Sequence, residues 1–188
     1  MNLQKSEMIQ MTSKDLIKKQ YMAEYARKDV SRISVKQLCA ATPVARTTFY
    51  SYFSNTDEVL CEIEDEILAG LRTVTDSISQ GNLPDMDFSV YMDVVEAYIR
   101  GHWSVIHAFL VVQPNMRFIR KWKDAVILNF KARYPGKQDA GNYDAVAEII
   151  ASTIIGAYSY WMEHPDQVST KEIKPLMYQV LESLVDIL

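Results

Sequence analysis

Apolar positions recur along most of this chain at three- and four-residue spacing, the pattern of helices that bury one stripe and expose the rest. Ile17, Tyr21, Met22, Tyr25 and Ala26 form the first stripe, with Lys14, Lys18, Lys19 and Lys28 on other faces, which predicts a helix over 13–28. Ser34 then stands as an N-cap before Val35-Lys36-Gln37-Leu38-Cys39-Ala40-Ala41, a short helix whose Val35, Leu38 and Cys39 would face the first. Thr42-Pro43 stops it, because proline lacks the N–H a helix needs and drives the preceding residue out of the α region. A third short helix over 45–52 turns Phe49 inward, with Val44 and Phe53 at its ends, and leaves Arg46, Thr47, Thr48, Tyr50 and Tyr52 for the surface. Ser54-Asn55-Thr56-Asp57 opens a fourth, whose early turns are crowded by Asp57, Glu58, Glu62, Glu64, Asp65 and Glu66, and which should run to about Gln80.

After a break at Gly81-Asn82-Leu83-Pro84, five more helices are expected at about 88–100, 102–112, 115–133, 142–163 and 170–187. Their stops are Gly101, Pro114, Pro135-Gly136 and Pro165. The last two are the most apolar: Ile149, Ile150, Ile154, Ala157, Tyr158 and Trp161 stripe one, and Leu176, Met177, Val180, Leu181, Leu184 and Val185 the other. Ser169 with Glu172 makes a capping box for the last. The fold expected is all-α: a three-helix head over 1–54 and a helical body over 55–188.

Composition agrees with a compact helical chain, at 188 residues, 48% hydrophobic, 23% charged, with 6 Gly and 6 Pro. No apolar run approaches the roughly 20 residues of a membrane span, so none is expected. Residues 1–11 carry Lys5 and Glu7 and no apolar run of signal-peptide length, which points to the cytoplasm. Cys39 and Cys61 are too few for a disulfide framework and have no metal-ligand spacing, so free, partly buried thiols are expected and no metal or cofactor. His102, His107 and His164 lack partner acids or nucleophiles at a telling spacing, His102 and His107 do not share a helix face, and no glycine-rich phosphate loop occurs. Catalysis is not expected.

Charge is distributed unevenly. The formal net is −4, yet residues 1–56 carry nine basic side chains against four acidic ones, leaving about −9 on the other 132 residues. Two short helices joined by a turn, the second polar with Arg and Thr at its start, form the helix-turn-helix arrangement that lays its second helix in the major groove.

The run ISVKQLCAATPVARTTFYSYFSNTDEVL, 33–60, resembles the signature of the TetR family of transcriptional regulators without a gap, above all in its Phe-Tyr-x-x-Phe ending and the acidic start of the next helix. IIGAYSYWMEHPDQVSTKEIKPLMYQVLESLV, at the C-terminal end, resembles that family's last two helices. The resemblance implies a sequence-specific DNA-binding regulator, a repressor released by a small-molecule inducer. The positions matching the family's contacts are Ser34 and Lys36 on the second helix and Arg46, Thr47, Thr48, Tyr50 and Tyr52 on the third. Arg46 suits a guanine edge or a phosphate, the threonines a thymine methyl or a phosphate oxygen, and the tyrosine hydroxyls the backbone.

The resemblance also implies a homodimer that pairs 142–163 and 170–187 with their mates in a four-helix bundle, as palindromic half-sites would require. In the body, Phe109, Phe130 and a candidate inducer pocket of Tyr98, Trp103, His107, Phe118, Trp122 and Tyr158 concentrate aromatics on the middle helices. Asp29, Pro43 and Thr47 stand where the family usually has glycine, and Thr56 where a basic residue is common. Those departures leave an alternative: a helical dimeric ligand- or protein-binding module that has lost DNA binding.

Overall fold

The computed structural model describes residues 11–27, 29–79 and 88–188, and among them every regular element is helical. α1, Ser13–Tyr25, starts on a capping box in which the Thr12 hydroxyl accepts from the Asp15 N–H and the Asp15 carboxylate accepts from the Thr12 backbone. It closes at Ala26, short of the expected end; Lys28 lies outside the described residues. The chain then tightens into a 3-10 turn, Val30–Arg32, because the Asp29 carboxylate accepts from the Ser31 N–H at 2.9 Å. Asp29 sits at φ −53°, so the position where the family resemblance leads one to look for glycine needs no left-handed backbone here.

α2, Val35–Ala40, begins at a reciprocal box between Ser34 and Gln37. The Thr42 hydroxyl donates to the Leu38 carbonyl at 2.9 Å, satisfying a last-turn acceptor where Pro43 ends the helix. α3, Arg46–Tyr52, follows the turn with Ala45 as an N-cap that offers no side-chain bond. α4, Thr56–Ser79, is capped by Asn55, which accepts from the Glu58 N–H at 3.0 Å, while Glu58 accepts from the Ser54 N–H at 2.7 Å. The break expected at 81–84 lies outside the described residues.

The chain divides into two compact units, one ending at Ile67 and one beginning at Leu68, so the division falls inside α4 rather than at its start. Ile17, Tyr21, Leu38, Phe49, Phe53 and Val59, all buried, form the core of the first unit. The early turns of α4 supply part of that core, which is why the unit extends past the position where the sequence pattern breaks. Glu64, one of the acids that crowd the early turns of α4, is fully buried.

In the second unit α5 is Phe88–Gly101 and α6 is Trp103–His107, which widens without a break into a π-helical turn, Ala108–Val112. α7, Met116–Arg133, is capped by Asn115, whose side chain accepts from the N–H groups of Arg117 and Phe118. α8, Tyr143–Glu163, packs against α7 and α9, Thr170–Asp186, and the Ser169–Glu172 box starts α9 as expected. α8 corrects one expectation: by length and composition alone it is apolar enough to cross a membrane, because Ser, Thr, Gly and Ala rather than charges fill its other face. Half of its most apolar window is buried inside the unit, and Glu148 pairs with Lys123 of α7, as in the core helix of a bundle.

A partly buried polar cluster ties α5 to α9. Glu96 accepts from the Thr170 hydroxyl at 2.8 Å, pairs with Arg100 at 2.7 Å and with Lys174 at 2.5 Å, and Lys174 also reaches Asp93. Burial alone would raise the Glu96 pKa, but the bonds from Lys174, Arg100 and Thr170 outweigh it and hold the carboxyl below its ordinary value. Gly70 marks a second close contact in this unit: a Cβ there would stand 2.2 Å from the Tyr98 hydroxyl, so a larger residue would require the Tyr98 ring to move.

Candidate nucleic-acid interface

α2 and α3 are too short to be stable alone and hold their shape by what they bury. Leu38 and Phe49 are fully buried, and Phe49 packs on Phe53 with ring centroids 5.8 Å apart. With that side fixed inward, helical spacing sends the others out. Arg46 and Tyr50, four residues apart, share an outer face; Thr47 and Tyr52 are also exposed and Thr48 is half-buried. Tyr50 and Tyr52 keep 57% and 46% of their surface, so neither packs beneath the unit. The Tyr50 ring is braced edge-on against Phe49 at 5.5 Å, which limits its rotation.

Ser34 and Lys36 are exposed at the start of α2. The Ser34 hydroxyl is occupied, bonded to the Gln37 side chain at 3.0 Å, so its first role is to cap the helix. Arg46 has no ion-pair partner among the described residues. The acids nearest in sequence are engaged elsewhere: Glu58 in the cap of α4, and Asp57 as acceptor of the Cys61 thiol at 3.7 Å. Thr56, where the family resemblance leads one to look for a basic residue, donates its hydroxyl to the Ile33 carbonyl at 3.5 Å.

Local charge differs from the sequence count. Lys14 pairs with Glu62 at 2.6 Å, and Lys18 with Glu66 at 2.6 Å and with Glu62 at 3.5 Å, so two of the nine basic residues serve internal ion pairs. Burial opposes the charge on Lys18, yet Glu66, Glu62 and Asp15 outweigh it and raise its pKa. Once α4 is counted as far as Ile67, the unit holds nine basic and ten acidic side chains, and Lys19, Arg27, Arg32, Lys36 and Arg46 are the basic residues exposed among the described ones. Those long-range pairs carry no local sequence signal, which is why pattern reading missed them.

In the second unit the expected aromatics build core rather than cavity wall. Phe118, Trp122 and Tyr158 are buried, with centroids 5.7 Å apart for Phe118 and Trp122 and 6.2 Å for Trp122 and Tyr158. Burial pushes the Tyr158 phenol far above its ordinary pKa, and its hydroxyl meets the Met92 sulfur at 3.8 Å. Trp103 stacks on His107 and stands edge-on to Trp161, and Tyr98 stacks on His102. A cavity of about 390 Å³ opens instead between α5, α7, α8 and α9. Its rings are Phe88, Tyr91, Phe130, Tyr134 and Tyr178, of which only Phe130 belongs to the aromatic set picked out in the sequence. Aromatics at helical spacing fill a core before they line a void. His102 and His164 each bond the backbone carbonyl four residues before them. Comparison with protein-family models, curated proteins and solved structures finds no match to this chain.

Proposed function

We propose that this chain is a sequence-specific DNA-binding transcriptional regulator of the TetR type, a homodimer whose α2–turn–α3 segment is a helix-turn-helix and whose body receives a small-molecule inducer. One constellation carries the reading: Arg46, unpaired among the described residues, with Thr47, Tyr50 and Tyr52 exposed on a seven-residue helix locked from behind by Phe49, and Lys36 on the preceding helix. A polar, donor-rich outer face on a helix that short has no packing role, and its side chains suit the edges and backbone of a major groove.

The dimer is supported by apolar residues left outside. Ile149 and Tyr160 on α8 are 48% and 49% exposed, Leu176 and Val180 on α9 are 61% and 42% exposed, and Ile187, at the C-cap of α9, is 62% exposed, a stripe at helical spacing. A second copy of the same two helices would cover it with two-fold symmetry, which is what paired half-sites demand. Sedimentation at micromolar concentration should give twice the mass of one chain. A monomer would remove the dimer from the reading.

The decisive test is retention of DNA fragments from the region upstream of the protein's own gene, followed over a range of salt. Wild type should select particular fragments and lose affinity steeply as salt rises. Arg46→Ala should lower specific affinity by about tenfold or more, as expected for loss of a bidentate base contact worth ~1–3 kcal/mol, while the helical content stays unchanged. No selective retention by wild type would favour the helical ligand-binding module, a reading that the near balance of charge in the first unit also fits.

A further inference from the structure

Three features at the cavity between α5, α7, α8 and α9 carry potential of the same sign. The first is its wall of aromatic faces, including Phe130, Tyr134 and Tyr178, whose quadrupoles attract cations. The second is the pair Glu182 and Asp186, one turn apart on α9, both exposed and both without an ion-pair partner among the described residues. The third is the end of two helices: α7 stops at Arg133 and α9 at Asp186, and the last carbonyls of a helix carry partial negative charge. One of those carbonyls, Val185, is met by Lys137 at 2.7 Å.

The single cationic side chain in the wall, Arg133, is already engaged, its Nε donating to the Tyr134 hydroxyl at 3.2 Å and its guanidinium lying 5.7 Å from that ring. Its charge stays in place, so the wall sets two carboxylates, Glu182 and Asp186, against one guanidinium. Tyr91 likewise has its hydroxyl bonded to Asn129, and burial raises its pKa, so it adds a neutral ring and no negative charge. The volume, about 390 Å³, falls at the small end of the range of roughly 300–1,000 Å³ typical of small-molecule sites.

We propose that this cavity takes an organic monocation with an apolar, ring-containing body, its ring seated among Phe130, Tyr134 and Tyr178 and its nitrogen directed to Glu182 and Asp186. The proposal deepens the inducer part of the functional reading and rests on it. An inducer of this class would be selected by charge at the rim and by shape within.

Calorimetry on the full-length, DNA-free protein tests it with three probes that share one body: naphthylbutylamine, naphthylbutanol and naphthylbutanoate. The amine should bind at least about tenfold more tightly than the alcohol and the carboxylate. In the Glu182→Gln, Asp186→Asn double variant, whose changes are on the surface, the amine should fall to the level of the alcohol while the alcohol itself is unmoved. Val185→Trp, at the half-buried rim, should weaken all three. Equal or tighter binding of the carboxylate, no binding of the amine, or an amine affinity indifferent to the double variant would each overturn the proposal. Because no DNA is present, failure here leaves the DNA-retention test standing. Amine binding by a protein that retains no DNA would instead keep the ligand and remove the regulator.

Discussion

The two units put their chemistry on opposite sides of their own cores. In the first, the reactive-looking side chains, Arg46, Thr47, Tyr50 and Tyr52, are outside and the buried set is plain: Ile17, Tyr21, Leu38, Phe49 and Phe53. In the second, Phe118, Trp122 and Tyr158 are inside and inert, and the cavity is walled by rings near the ends of helices. A surface site can be read from helical phase once one core residue is known, because the opposite face follows. An internal void depends on how four helices fail to fill space, and no single helix encodes that.

The largest effect that would break this comparison is expected at Phe49. It is fully buried in a unit of only some 67 residues, where one core supplies little surplus stability. Phe49→Ala should cost ~3–5 kcal/mol and unfold the first unit. Trp103, Trp122 and Trp161 all lie in the second unit, so tryptophan fluorescence should melt as in wild type while far-ultraviolet circular dichroism loses the first unit's share. If fluorescence and dichroism shifted down together, the two units would be one cooperative body.

Next in size is Gly70→Ala. A Cβ at 2.2 Å from the Tyr98 hydroxyl forces the ring off its stack with His102, where the centroids are 4.1 Å apart. Overpacking of this kind costs ~1–3 kcal/mol. Tyr98→Phe removes the closest atom, so thermal melts of the double variant should recover part of the loss. No recovery would mean that the cost comes from the backbone and not from this contact. Tyr98 would then be a bystander in the packing of α5 on α4.

Much of the helical layout was legible beforehand, for identifiable reasons. The ends of α2, α8 and α9 follow from Ser34, Pro165 and the Ser169–Glu172 box, which act within a few residues of themselves. The outward set on α3 followed from Phe49 as the inward anchor. What stayed hidden depends on distant partners. Lys14 and Lys18 read as a basic face until Glu62 and Glu66 arrive from α4 to pair with them. Glu64 read as one of the acids crowding the early turns of α4, and Trp122 as pocket by residue type, and packing buries both. The π-turn at Ala108–Val112 likewise has no pattern in the sequence beyond an apolar run.

The Glu96 cluster gives the body a pH dependence. The folded-state pKa of Glu96 is depressed from 4.5, so its contribution is present above that value and is lost as pH falls through the lower, folded one. Lys174 has the complementary behaviour: its raised pKa keeps its contribution at all but strongly alkaline pH. Glu96→Gln should lower stability by ~1–2 kcal/mol at neutral pH, since it weakens charge-assisted bonds in a partly buried cluster. The gap between variant and wild type should close in denaturant titrations as pH falls below the ordinary glutamate range and through the depressed folded-state value. A gap that persists into acid would mean that the carboxylate's charge is not what ties α9 to α5.

The smallest effects sharpen the comparison most, because they separate two kinds of lysine in the same unit. Lys18 is an internal partner of Glu66 and Glu62, whereas Lys36 is exposed without one among the described residues. Lys18→Gln should cost under about 1 kcal/mol of stability, as partly exposed ion pairs do, and leave the salt dependence of DNA retention unchanged. Lys36→Gln should leave the melting temperature alone and reduce the slope of log affinity against log salt by about one, with the same loss on every fragment. The two slopes, measured side by side, distinguish a basic residue proposed to face phosphate from one that holds α1 to α4. If Lys18→Gln flattened the salt slope and Lys36→Gln did not, the proposal that α3 faces DNA would give way to one that places the contact on α1.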